Sequence, residues 1–152
     1  MPTIVAYQKF INTEITRTLR LPEDAEHKQL GTELATLADG LTYVSLPDGV
    51  VLPADQPAEI SASIATVIMT DPLKESIKAV SPHTRLISQR MQEKIRAAYT
   101  IEDEQFFSRI GVGVALGAYV FGAGEQAALL AFGAFVESVR QWGRDERAKL
   151  GL

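Results

Sequence analysis

The sequence predicts a mainly α-helical fold: one small helical domain with a short β-hairpin near residues 41–53 and a glycine- and alanine-rich helical hairpin at its C-terminal end. Three observations lead there. Apolar residues recur at spacings of three and four through most of the chain. Proline- and hydroxyl-containing start signals open one segment after another. The stretch from Ile110 to Val136 is almost wholly apolar, with only Glu125 and Gln126 strongly polar.

At the N-terminus, Ile4, Val5, Tyr7, Phe10, Ile11, Ile15 and Leu19 predict an amphipathic helix over Thr3–Arg20, with Pro2 at its start. A second helix is expected from about Pro22 to Ala38. Glu23 and Asp24 suit its positive end, Leu30, Leu34 and Leu37 form its stripe, and Asp39-Gly40 ends it. Residues 41–53 then change character. Leu41, Tyr43, Val44 and Leu46 precede Pro47-Asp48-Gly49, and Val50, Val51 and Leu52 follow it, which reads as a short hairpin or an extended loop. A lone hairpin is marginal and must pack on other elements.

Three helix starts follow. Pro57 opens a segment through Ile60, Ile64, Val67 and Ile68, and Asp71-Pro72 and Ser81-Pro82 each pair a capping residue with a first-turn proline. The helix from Pro82 to about Ala98 carries Leu86, Ile87, Met91 and Ile95. Thr100, followed by Glu102, Asp103 and Glu104, starts another from Ile101 to about Val120. A break is expected at Gly122-Ala123-Gly124 and a last helix from Glu125 to Lys149. No repeat or linker marks a boundary, so residues 1–152 are taken as a single domain.

The bulk composition narrows the function. The chain has 152 residues and no cysteine, which removes disulfides, thiolate nucleophiles and cysteine-held metals. Residues 1–60 hold four basic groups against nine acidic ones, and the net charge is −4. An acidic front disfavours nucleic-acid binding, and the mixed stripe Arg140, Arg144, Arg147 near Trp142 is diluted by Glu137, Asp145 and Glu146. No charged and apolar leader pattern opens the sequence, so a cytoplasmic or particle-associated location is expected.

No motif carries recognisable chemistry. GVGVALG at 111–117 has Leu116 where a dinucleotide loop needs glycine. Glu23, Asp24 and His27 have ligand spacing on a helix but lack further ligands, and His83 falls in a helical first turn. Glu102, Asp103 and Glu104 suit a helix dipole better than acid–base work. No serine has a nucleophile-elbow context. Catalytic, cofactor and metal residues are therefore assigned to none.

What remains is packing. Gly113 and Gly117 are one turn apart, and Ala127, Ala131 and Ala134, with Ala128, offer a facing surface of small residues. Two successive helices that are apolar nearly all round need more burial than a domain this small provides. The expectation is a non-enzymatic structural, assembly or interaction protein that self-associates through helices 101–149 as a homo-oligomer or with a protein partner. A component of a larger particle such as a phage virion fits this profile. One alternative is a small-molecule binder or enzyme with a pocket between the helices and the 41–53 hairpin, tested at Tyr43, Asp48 and Tyr99. The other is conditional membrane insertion through 110–136. The uninterrupted run Ile110–Gly124 spans only about 22 Å as a helix against a bilayer core of about 30 Å, so length opposes simple spanning.

Overall fold

The computed structural model describes all residues, 1–152. It corrects the mainly helical expectation. The chain is an α+β mixture of a four-stranded antiparallel sheet and five helices, with 47% of residues helical. In chain order the elements are β1 (Thr3–Tyr7), β2 (Thr32–Thr36), β3 (Thr42–Leu46), α1 (Ala58–Ser61), β4 (Ala65–Val67), α2 (Asp71–Val80), α3 (Pro82–Ala98), α4 (Ile101–Ala115) and α5 (Glu125–Lys149). Two compact units divide the chain, one comprising Met1–Leu86 with Glu146–Leu152 and the other Ile87–Asp145.

In the first unit the strand order is β2-β3-β1-β4, so β1 and β3 are central. β1 pairs antiparallel with β3 from Thr3↔Leu46 to Tyr7↔Thr42, and with β4 from Ile4↔Val67 to Ala6↔Ala65. Side chains of a strand alternate between faces, and both faces here are covered. Ile4, Ala6, Tyr43 and Leu34 form one apolar cluster with Ile77 of α2, joined by Leu150 and Leu152 from the chain's end. Val5, Tyr7, Val44 and Leu46 form the other with Leu19 and Ile60, flanked by Ile11, Leu21, Val50, Leu52 and Ile64. This double coverage explains why β1 resembles a helix in sequence. A strand buried on both sides reads as a continuous apolar run, and Ile4-Val5-Ala6-Tyr7 shows no alternation to contradict a helix. Phe10, Ile11, Ile15 and Leu19 belong to the irregular chain that follows β1, where Phe10 bridges Thr16.

The second expected helix is also absent. Residues 22–30 form a loop in which the Asp24 carboxylate accepts from the backbone N–H groups of Glu26 and Lys28, at 2.9 and 3.0 Å. His27 there takes a left-handed φ of 60°. Asp39-Gly40 is not a helix terminus but the tight turn of the β2–β3 hairpin, with Gly40 at φ 82°. Aspartate followed by glycine is hairpin chemistry as much as cap chemistry, because both need a residue with positive φ. Between Glu33 and Ala35 the register slips, so Leu34 and Ala35 both join the same cluster.

The expected hairpin within 41–53 does not form. β3 pairs with β1 and β2, while Val50–Leu52 is irregular chain in which Val50 and Leu52 pack on the sheet and Val51 is exposed. Pro47-Asp48-Gly49 does turn, with Val50 N–H donating to the Pro47 carbonyl at 3.1 Å. The segment opened by Pro57 is a helix of only four residues, after which Ala65–Val67 supplies edge strand β4. In α2 the Thr70 hydroxyl, one residue earlier than expected, accepts from Leu73 N–H at 3.4 Å.

The second unit contains most of α3, all of α4 and most of α5. Tyr99 sits edge-on to Phe132, with ring centres 5.0 Å apart, and Phe107 of α4 stacks on Phe132 of α5 at 5.1 Å. Edge-to-face and offset rings are the arrangements their quadrupoles favour. Gly143, buried on α5, lets Met91 of α3 approach closely.

Candidate interaction surface

α4 begins at a capping box. The Thr100 hydroxyl accepts from Asp103 N–H at 3.1 Å, and the Asp103 carboxylate accepts from Thr100 N–H at 2.8 Å. Each satisfies a backbone donor that a helix start leaves open. The helix ends earlier than the sequence suggests, at Ala115 rather than Val120. Gly117 follows with φ 70°, Ala118 N–H donates to the Gly113 carbonyl at 2.8 Å, and Gly117 N–H donates to that of Val114 at 3.0 Å. These two bonds are the Schellman closure, which needs a left-handed residue where Gly117 stands.

The connection to α5 is tied by one carboxylate. Glu125 accepts from the Tyr119 hydroxyl at 2.8 Å and from Gly122 N–H at 2.7 Å. Its hydrogen bond holds the Tyr119 proton and pushes that phenol above its ordinary range. The one ionisable carboxylate in the apolar stretch is thus engaged inside the loop.

α5 buries a single seam. Leu129, Phe132, Val136, Val139 and Gly143 are shielded at alternating spacings of three and four, the repeat by which one helix face stays against its neighbours. Leu129 lies against Gly111 of α4, 3.5 Å from where a Cβ would be, so Gly111 rather than Gly113 or Gly117 is the small residue of α4 that meets this seam.

The five residues expected at an interface are therefore distributed differently. Gly113 faces Tyr119, whose Cβ would lie 2.8 Å from an added Cβ. Gly117 lies beyond the end of α4, so the two do not share a helix face. Ala127, Ala131 and Ala134 do come together, on the side of α5 opposite the seam, and all three are exposed. With them Leu130 is 66% exposed, while Val112, Leu116 and Val120 stand at 59%, 77% and 87%. These four large side chains were not singled out from the sequence. The signal was available: Leu129, Phe132 and Val136 mark the buried side and place Leu130 outside it.

The other candidates do not converge. Tyr43 donates its hydroxyl to Asp39 at 2.9 Å, Asp48 pairs with the terminal amino group of Met1 at 3.3 Å, and Tyr99 belongs to the aromatic cluster of the second unit. With no strand pairing inside 41–53, the pocket expected beside that hairpin lacks its wall. Glu23 and His27 lie 3.3 Å apart in an exposed loop, and no three His, Asp or Glu side chains gather where a metal could be held. No helix is long and apolar enough to cross a membrane.

Comparison with known proteins finds no matching family model, no matching curated protein and no matching solved structure.

Proposed function

We propose that this protein is a non-enzymatic assembly component that self-associates through α4 and α5, a building block of a larger particle of the kind a phage virion exemplifies. The observation that carries the reading is the exposure of Val112, Leu116 and Val120 on α4 and the turn after it, and of Leu130 with Ala127, Ala131 and Ala134 on the outer face of α5. A single exposed apolar residue is ordinary, whereas large ones recurring along one pair of successive helices are candidates for contact with another chain. Charge supports the same reading. Between Ile110 and Val136 the only ionisable carboxylate is Glu125, already engaged by Tyr119 and Gly122. Two copies can meet there with that one carboxylate already hydrogen-bonded by two donors of its own chain, which lowers the cost of covering it.

The test is Leu130→Arg, compared with wild type by light scattering after size exclusion. Position 130 is exposed on the single chain, so the variant folds with unchanged helix content and loses assembly mass. An unchanged assembly mass contradicts the proposed surface. Gly117→Leu is a poor probe, because its positive φ penalises any side chain whether or not a partner is present.

A further inference from the structure

A groove of about 460 Å³ runs between α3 and α5 in the second unit. Ala97, Ala98, Phe135, Val139 and Trp142 make it mostly apolar, and Lys94 and Ser138 are its polar lining. The size falls within the range of small-molecule sites. No carboxylate lines it. The Lys94 ammonium lies 4.8 Å from the centre of the Trp142 ring and makes no ion pair. The Trp142 indole N–H likewise has no acceptor within the chain. An apolar trough whose one cation has no carboxylate partner is complementary to a molecule with an apolar body and one anionic end.

We propose that this groove binds a medium-chain alkyl carboxylate, its chain against Phe135, Val139 and Trp142 and its carboxylate at the Lys94 ammonium. A single ammonium matches one negative charge, which favours a carboxylate over a phosphate dianion. Lys94 adds its aliphatic stem to the wall while its head stays in water. The site shares none of Val112, Leu116, Val120, Ala127, Leu130, Ala131 and Ala134 with the assembly surface, so either proposal can fail without the other.

Trp142 is the only tryptophan in the chain, so its emission reports occupancy directly. The experiment titrates hexanoate, octanoate and decanoate, all below their micelle concentrations, with 1-decanol as the uncharged control. The expected result is a saturable blue shift, tightening about fourfold per added methylene until the groove is filled. Lys94→Gln weakens decanoate by up to about fivefold, the range of a solvent-exposed ion pair, and leaves 1-decanol unchanged. Ala97→Leu, which fills the trough, weakens both. Absence of a saturable shift with decanoate overturns the site. Equal binding of decanoate to wild type and Lys94→Gln overturns the carboxylate assignment.

Discussion

Alanine in place of Gly133 and of Gly143, both on α5, should move stability in opposite directions. Glycine inside a helix costs about 1 kcal/mol relative to alanine. At Gly133 an added Cβ meets nothing within 4 Å. Gly133→Ala should therefore gain about 1 kcal/mol, roughly 2–4 °C in Tm for a chain of this size. At Gly143 the same atom would lie 2.3 Å from the Met91 sulfur and 3.2 Å from its Cγ. Either Met91 leaves its rotamer or α3 and α5 move apart. Overpacking of this kind costs about 1–3 kcal/mol, so after the helix gain Gly143→Ala should lose up to about 2 kcal/mol. Urea unfolding followed by Trp142 emission, at a dilution where the chain is monomeric, reads both variants in the unit that contains them. Met91→Ala combined with Gly143→Ala should be less than additive, since the two changes share one contact. A Gly143→Ala variant as stable as wild type would refute the close approach of α3 and α5. A destabilised Gly133→Ala would refute the open face of α5.

Three further outcomes follow from single residues. Ser81, between α2 and α3, is 1% exposed and its hydroxyl has no partner; Ser81→Ala should raise stability by about 1 kcal/mol in thermal unfolding, and a lowered Tm would show that the hydroxyl is satisfied. Gly117→Ala should cost about 1 kcal/mol at its positive φ and Gly117→Asn less, so an order reversed in urea unfolding would contradict the left-handed helix end. Burial, reinforced by the Glu33 carboxylate, pushes the Tyr7 hydroxyl from 10.0 to about 12. The folded chain then holds this proton more tightly than the unfolded one. Stability is fully present below pH 10 and falls as pH rises from 10 towards 12, by on the order of 3 kcal/mol at about 1.4 kcal/mol per unit. Tyr7→Phe should remove that slope in urea midpoints measured across the window, and parallel wild-type and variant curves would contradict it.

Legibility divided near residue 70. α3, α4 and α5 start where Pro82, Thr100 and Glu125 announce them, because first-turn residues and the Thr100 cap act locally, although the Ser81 hydroxyl makes no cap bond. The sheet was hidden because its determinants are not local. Ile4-Val5-Ala6-Tyr7 is apolar without alternation since α2 and the chain's end cover one face, and Leu19, Ile60 and their neighbours cover the other. Nothing within that stretch states that its partner is Thr42–Leu46, about forty residues away. Asp39-Gly40 shows a second kind of ambiguity, in which one dipeptide serves two turns and only the flanking pairing decides between them.

The same division runs through the surface. Ala127, Ala131 and Ala134 share a helix face, and their spacing declared it. Gly113 and Gly117 have equally regular spacing, yet one accommodates Tyr119 and the other ends α4. Spacing is informative only while the helix continues, and the end of α4 at Ala115 is set by the Schellman closure around Gly117. Leu116 and Val120 are exposed for that reason, since they fall in the turn rather than on a packed helix.

The most direct test of the account is the absolute mass of the wild-type chain in solution, by light scattering behind size exclusion without detergent and across a dilution series. Self-association through α4 and α5 predicts a defined multiple of the 16.6 kDa chain that persists on moderate dilution and falls to a single chain in Leu130→Arg. A single-chain mass for the wild type at every concentration would contradict it, leaving Val112, Leu116, Val120 and Leu130 as exposed apolar residues of a monomer.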